Sequence, residues 1–333
     1  MKTYNVAIVG IRGAVGIEMY HILKERMFPV NELRCMSSHP EDCPDYEMNG
    51  KVFKAVKLGH DAFEGIDIVL SSPGAAVSKI YTPSAVKAGA VVIDNTSQFR
   101  MDPDVPLVVP EVNPQDIQKH KGIIANPNCS TIQMVVALKP LHDYGRIKRV
   151  VVSTYQSVSG AGAQAIGELE KQTQGNMEIS KFPYQILHNL IPHIDVPQEN
   201  LYTKEEMKMV HETCKIMGDD SIKVTATCVR VPVIRAHSES VNIETEKKIT
   251  REKAIALLSQ APGVQVIDDL PKGKYPLPLD AQGKDETFVG RIREDETIPN
   301  GLNLWIVSDN LRKGAALNAI QIAEELIRTR SSC

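Results

Sequence analysis

The sequence predicts an α/β chain in two parts, a doubly wound N-terminal sheet followed by an α+β domain. Three observations carry this. A β-rich run, Tyr4–Val9, ends on Gly10 and opens at once into a helical pattern. Short apolar runs bounded by Gly, Pro, Asn, Asp or Ser then recur through the first 125 or so residues, as they do in a parallel sheet buried on both faces. After residue 145 the runs become longer, richer in Val and Thr, and several alternate cleanly, which predicts a sheet with one face open to a partner. A chain of 333 residues has the length for two such domains, each with its own core.

Taken in order, residues 14–28 place apolar Ile17, Tyr20, Ile22 and Leu23 at helical spacing after the first strand. Further strands are predicted at 32–36, 66–70, 91–93, 107–109 and 122–125, and residues 75–88 have the length of a crossover helix. In the second part, strands are predicted at 149–155, 223–233, 239–244 and 302–307. The stretch 263–297, rich in Pro, Gly and charge, reads as surface loop, and a last helix is predicted from 311 to 329. The predicted boundaries put a dinucleotide-binding domain at 1–128, completed by 311–333, and a second domain at 129–310.

Composition narrows the ligand. Lys and Arg number 38 against 41 Asp and Glu, with no basic tract, which argues against nucleic acid or an anionic membrane as partner. Only 5% of residues are aromatic, too few for base-stacking platforms, so a small molecule is expected. The 42% hydrophobic content excludes disorder. The cysteines (Cys35, Cys43, Cys129, Cys214, Cys228 and Cys333) form no CxxC pair, so neither a zinc site nor a disulfide framework is expected. With no signal-peptide pattern and no long apolar run, a cytoplasmic location is expected.

Gly10-Ile11-Arg12-Gly13-Ala14-Val15-Gly16 spells GxxGxxG between a strand and a helix. Glycines there allow a tight turn and the close approach of a pyrophosphate, which the helix N–H groups then bind. An NAD-selective site would place an acid at the end of the second strand. Here that strand ends in Met36-Ser37-Ser38-His39-Pro40, and Glu41 and Asp42 follow only after the proline, which favours NADP. Arg12 is either a solvated charge or a second phosphate contact.

Asn126-Pro127-Asn128-Cys129-Ser130-Thr131 precedes a helical stretch, so Cys129 meets the positive end of a helix dipole in a polar loop unlike a core pattern. Cys129 is the candidate nucleophile. Among nine histidines, His237 stands out, near a strand end and just after Arg230 and Arg235. Guanidinium groups suit a carboxylate substrate, although two exposed strand arginines on opposite faces would give the same spacing. Gln156 lies where a strand breaks into a Gly/Ser loop, a place to orient an acyl group. Arg100 follows a sheet strand where an anion could meet it. Glu205 and Lys208 share one helix face, a spacing that surface ion pairs also produce.

Together the cysteine loop, the loop Gln156-Ser157-Val158-Ser159-Gly160-Ala161-Gly162, the strand Arg230-Val231-Pro232-Val233 leading to His237-Ser238-Glu239, and Ser308-Asp309-Asn310-Leu311-Arg312-Lys313-Gly314 resemble the aspartate-β-semialdehyde dehydrogenase family over nearly the whole chain. The resemblance implies a Rossmann-type first domain and a second, catalytic and dimerisation domain of the glyceraldehyde-3-phosphate-dehydrogenase-like type. It implies NADPH-dependent reductive dephosphorylation of L-4-aspartyl phosphate to L-aspartate 4-semialdehyde, towards lysine, threonine and methionine, in a homodimer or homotetramer. Cys129 is then implied as the thioester-forming nucleophile, His237 as acid/base and Gln156 as orienter of the acyl group. Arg230 is implied to clamp the substrate carboxylate, Glu205 to hold its amino group, and Arg100, Lys208 and Asn128 to bind phosphate. For the cofactor, Gly10, Arg12, Gly13, Ala14, Val15 and Gly16 would form the pyrophosphate loop. Ser37, Ser38 and Ser71 would lie near the adenosine, and Asn95, Ser159, Gly160 and Asn310 would complete the set, Asn310 near the nicotinamide. Related N-acetyl-glutamyl-phosphate reductases read Asn-Pro-Gly-Cys-Tyr at the cysteine. This chain departs from its own family in two places, both at the cofactor: Gly-Ala-Thr-Gly becomes Gly10-Ile11-Arg12-Gly13, and the arginine usual after the second strand is replaced by His39 and Pro40. NAD use therefore stays open beside NADP.

Overall fold

The computed structural model describes residues 2–331, the side chains of Arg330 and Ser331 excepted; the last two residues of the predicted first domain, Cys333 among them, lie outside the described residues. The chain divides into two compact units, 1–127 with 315–333, and 128–314. Asn128 belongs to the second because it caps a helix there and bonds to Glu205 and Glu212 of the same unit.

In the first unit, β1 (Tyr4–Val9) leads through the glycine loop into α1 (Ala14–Glu25) and β2 (Val30–Ser37). A small hairpin of β3 (Tyr46–Met48) and β4 (Lys51–Phe53) precedes β5 (Val56–Lys57), β6 (Ile68–Ser71), α2 (Ala75–Lys87), β7 (Val91–Asp94) and β8 (Ile123–Ala125). The parallel sheet runs β5-β2-β1-β6-β7-β8. The strand order reverses at β1, since β2 lies on one side of it and β6 on the other. In open α/β sheets the ligand crevice opens at such a switch point, beyond the carboxyl ends of the strands. Gly10, Ser37 and Ser71 all lie at those ends. Val6, Ile8, Leu33, Ile68 and Ile93 pack on one face with Met19, Ile22 and Leu23 of α1.

Residues 107–109, predicted as a strand, are buried but make only a single bridge, Leu107 to Ala125. Pro106 and Pro110 flank the run and remove ladder donors. Asn113 serves it instead: its Oδ1 accepts from Val109 N–H and its Nδ2 donates to Leu107 O, both at 2.9 Å.

The second unit opens with α3 (Cys129–Gly145), then β9 (Ile147–Gln156), α4 (Ala163–Thr173), α5 (Lys204–Met217), β10 (Lys223–Arg230), β11 (His237–Thr245), α6 (Arg251–Ser259), β12 (Val264–Val266), α7 (Pro278–Ala281), β13 (Thr287–Asp295) and β14 (Gly301–Ser308). Its mixed sheet is ordered β10-β9-β11-β14-β13-β12. One face, with Val150, Val152, Val241, Ile243 and Leu304, packs on Met134, Leu138 and Leu141 of α3. The stretch 263–297 is not the surface loop predicted for it, because nine of its residues form β13 between β14 and β12. The short β-forming run Thr287-Phe288-Val289 is obscured by the Pro, Gly and charge on either side. Residues 312–316 form a π-helical turn, and α8 (Leu317–Ser331) returns to the first unit's core through Leu317, Ile320 and Ala323. No helix among the described residues is long and apolar enough to cross a membrane.

Candidate active site and cofactor cradle

Strand direction assembles the catalytic candidates of the second unit. β9 and β10 are parallel, with Gln156 and Arg230 register partners at their carboxyl ends. β11 is antiparallel to β9, so it begins at that same end, and its first residue is His237. Two parallel strands and one antiparallel neighbour thus deliver three side chains to one end of the sheet.

Cys129 is the first residue of α3, and Asn128 is its N-cap, its Oδ1 accepting from Ser130 N–H at 3.0 Å and Thr131 N–H at 3.3 Å. This half-buried thiol therefore meets the helix dipole. The Arg230 guanidinium lies within electrostatic reach of it, and a second positive field favours the thiolate further. Gly314 backs the thiol: a Cβ there would stand 2.9 Å from Cys129 Cβ, so the backbone approach requires glycine.

Glu205 is the hub of the cluster. Its Oε1 accepts from Asn128 Nδ2 (2.9 Å) and Gln156 Nε2 (3.1 Å), and its Oε2 from Lys208 Nζ (2.9 Å), which also donates to Asp195 at 2.8 Å. Burial alone would raise its pKa, but the Lys208 charge and these donors outweigh that and hold it at about 2. Glu205 and Lys208 are thus not the solvated pair that their spacing also allows: Glu205 is 5% exposed. Thr154 Oγ1 donates to Gln156 Oε1 at 3.0 Å, which fixes the orientation of the amide.

His237 is fully buried. Ser157 N–H donates to its Nδ1 at 3.0 Å, so Nδ1 is an acceptor and the neutral ring carries its proton on Nε2. Nε2 has no hydrogen-bond partner among the described residues. Burial, helped by the neighbouring Arg230 charge, pushes the ring down to about 3. Gly160 keeps this corner open, for a Cβ on it would stand 3.0 Å from Arg230 Nη1 and 3.2 Å from His237 Nε2. The second arginine of the pair, Arg235, does not face this cluster: it donates to the fully buried Asp309 at 2.6 Å.

The pKa shifts of His237 and Glu205 make acid destabilising. Unfolded histidine takes up a proton below about 6.5, whereas folded His237 resists it down to about 3, so its contribution to stability is present above 6.5 and is lost as pH falls. Glu205 adds the same sign lower down, between about 4.5 and 2. Urea melts from pH 8 to pH 5 should show stability falling below about 6.5, and a His237→Asn variant should show a flatter profile over that window. An unchanged slope would mean that His237 is not held neutral.

Two further predicted residues of this unit, Ser159 and Asn310, bond to each other beside His237. Asn310 is 2% exposed, its Oδ1 accepting from Ser157 Oγ, Ser159 Oγ and Ala236 N–H, and its Nδ2 donating to Ser159 Oγ. Asn310 and Ser159 therefore clamp the segments on either side of His237. Sequence reasoning missed Ser157, whose backbone amide sets the His237 tautomer, and Glu239, two residues beyond His237 on the same strand face. Burial raises the Glu239 carboxyl well above its ordinary range, and Gln133 opposes the shift.

The first unit holds the glycine loop. Gly10 has φ +85°, and a Cβ on it would come within 2.8 Å of Ser72 O; a Cβ on Gly16 would lie 2.3 Å from Gly10 O. Both are demanded by the fold. Gly13 is not, since its φ is −76° and its nearest obstacle is Gly10 O at 3.4 Å. It is the N-cap of α1 and offers no side chain, so the first-turn N–H groups at Ala14, Val15 and Gly16 are left for an outside acceptor. A glycine that the fold does not need, at an uncapped helix start beyond β1, fits a bound pyrophosphate. Gly16→Ala should destabilise the protein by about 2 kcal/mol or more in urea, whereas Gly13→Ala should cost under about 1 kcal/mol and weaken nucleotide binding. Equal stability losses would remove this distinction.

Around the loop, Ser37 and Ser71 are buried and Ser38 is exposed; Ser37 Oγ accepts from His39 N–H at 3.1 Å. Asn95 Oδ1 accepts from Asn126 Nδ2, and Arg100, 7% exposed, donates to Asn95 O at 2.8 Å. Arg12 is not simply solvated: its Nη1 lies 3.0 Å from Asp42 Oδ2.

Comparison with known proteins follows the same two units. A family model described as semialdehyde dehydrogenase, NAD binding domain, matches residues 5–120, and one described as semialdehyde dehydrogenase, dimerisation domain, matches residues 138–313. The aspartate-semialdehyde dehydrogenase of Aquifex aeolicus is 56% identical over 98% of both chains. Aspartate semialdehyde dehydrogenase II of Vibrio cholerae, solved in complex with ASA, superposes with a TM-score of 0.95 at 48% identity, over 98% of this chain and 99% of that one. The Candida albicans enzyme, solved with NADP, superposes at 0.75 with 25% identity, over 98% of each chain.

Proposed function

The chain belongs to the aspartate-semialdehyde dehydrogenase family, and from that membership we propose that it converts L-4-aspartyl phosphate to L-aspartate 4-semialdehyde and phosphate, with NADPH as reductant and the acyl group carried on Cys129. The observation that carries this reading is the single cluster of Cys129, Arg230, His237, Gln156 and Glu205, with the thiol at a helix start. The steps follow from these side chains.

The Cys129 thiolate attacks the acyl carbon, the carbon–oxygen bond to phosphate breaks, and phosphate leaves with the electron pair. A thioester remains, electrophilic enough to be reduced where a carboxylate would not be. When bound, the reduced nicotinamide supplies the hydride. The carbon–sulfur bond then breaks, Cys129 leaves as thiolate and the aldehyde is released. Gln156 orients the acyl group through its Nε2, and Arg230 clamps the substrate carboxylate as a planar fork. Glu205 receives the substrate amino group, with Lys208, Asn128 and Arg100 as phosphate ligands; Lys208 has one N–H left after Asp195 and Glu205.

For His237 the tautomer favours a neutral donor. On this reading its Nε2–H donates to the substrate oxygen and stabilises the negative charge that develops there, as a neutral imidazole can when its pKa is held low. An acid/base cycle at this ring would require Nδ1 to release the Ser157 amide.

NADPH is favoured by the hydroxyl-bearing end of β2 and by Arg12. The dimerisation-domain match supports a homodimer, or a tetramer built from it, in the cytoplasmic synthesis of lysine, threonine and methionine. The test is phosphate-dependent reduction of NADP+ and of NAD+ by aspartate semialdehyde. Turnover that requires phosphate is expected; none with either nucleotide would refute the assignment.

A further inference from the structure

By sequence, Asp42 lies beyond Pro40, past the strand end from which an acid reads the ribose. The fold brings it back. After β2 ends at Ser37, a short 3₁₀ turn, Pro40–Asp42, swings the carboxylate round until Oδ2 lies 3.0 Å from Nη1 of Arg12 in the glycine loop. The pair spans the two elements that enclose the adenosine ribose in a doubly wound fold. Its members are about half exposed, at 47% and 54%. An exposed pair of this kind is weak, so a competing anion can displace the carboxylate. The buried Ser37 is occupied by His39 N–H, and Ser38 Oγ lies 2.9 Å from His39 Nδ1, which leaves Arg12 and Asp42 as the charged groups joining the loop to the β2 exit.

The two nucleotides ask for opposite groups at the ribose 2′ position. A 2′-phosphate calls for a guanidinium, and a 2′-hydroxyl for a carboxylate acceptor. We propose that the Arg12–Asp42 ion pair reads this position in both ways: a 2′-phosphate takes Arg12 away from Asp42, whereas a 2′-hydroxyl donates to Asp42 while the pair stays closed. Asp42 is then the residue that admits NAD, and it holds NADP preference below what Arg12 alone would give. This rests on the reading that the glycine loop binds a nicotinamide dinucleotide.

Calorimetric titration of the full chain at fixed ionic strength tests it, with adenosine 2′,5′-bisphosphate and 5′-AMP as probes beside NADP+ and NAD+. Asp42→Asn should tighten the 2′-phosphorylated ligands roughly 3- to 10-fold and weaken the others by a similar factor. Arg12→Ala should weaken the 2′-phosphorylated ligands roughly 10-fold or more and change the others less than about 2-fold. Both side chains are exposed, so thermal melting should match wild type. If Asp42→Asn leaves the NADP+ to NAD+ affinity ratio unchanged, or Arg12→Ala weakens all four ligands equally, the pair does not read the 2′ position. If the wild type binds none of the four, the dinucleotide reading itself fails.

Discussion

Cys129→Ala should lower kcat for phosphate-dependent nucleotide reduction by about 10⁴-fold or more, the scale on which loss of a covalent nucleophile is felt. The site offers no substitute. Cys228 is buried in β10, and desolvation with nearby Glu205 raises its thiol far above the ordinary range. Cys35 is pushed up to about 12 by burial, with Cys43 adding to the shift. Among the described cysteines, only Cys129 has a helix start and a guanidinium that favour its thiolate. Since the Cys129 side chain abuts Gly314 and alanine is smaller, the variant should fold, bind nucleotide as wild type does and unfold at a similar urea concentration. Cys43→Ser should retain full turnover. Retained turnover in Cys129→Ala, or its loss in Cys43→Ser, would assign the acyl group to the wrong sulfur.

The second large effect is expected at Glu205. Removing one member of a buried, hydrogen-bonded charge pair typically costs about 3–5 kcal/mol, because the other charge is left in a poor solvent. In Glu205→Ala three donors lose their acceptor together: Asn128 Nδ2, Gln156 Nε2 and Lys208 Nζ. Lys208 keeps Asp195, so the loss should fall at the lower end of that range, about 3 kcal/mol by urea unfolding. Glu205→Gln keeps the shape and one acceptor oxygen; it should recover most of the stability while kcat/KM stays at least about 10-fold down, since the negative charge that meets the substrate amino group is gone. If Glu205→Ala unfolds within 1 kcal/mol of wild type, Glu205 is not the hub of the cluster.

What the sequence reveals of this protein depends on whether the signal is local. The glycine loop is legible because strand, glycines and helix are consecutive, and Cys129 because its polar neighbours are consecutive too. Asp42 was not legible as a partner of Arg12, since a proline before it argues against the second strand continuing and nothing local announces the 3₁₀ turn. Ser157 was invisible for another reason: the group that fixes His237 is a backbone amide, which every residue but proline carries. β13 was hidden by its flanks, which look like loop although the first half of the strand between them is buried. Arg230 and Arg235 look equivalent in the sequence and separate only when Asp309, far along the chain, neutralises the second.

The thioester is the centre of this account, and direct capture tests it most closely. Enzyme mixed with aspartate semialdehyde and oxidised nucleotide in the absence of phosphate, quenched in acid and digested, should yield an aspartyl thioester on the peptide containing Cys129, and prior addition of phosphate should discharge it. A covalent adduct on the peptide of Cys43 or Cys214 instead, or none on any peptide while turnover with phosphate proceeds, would contradict it.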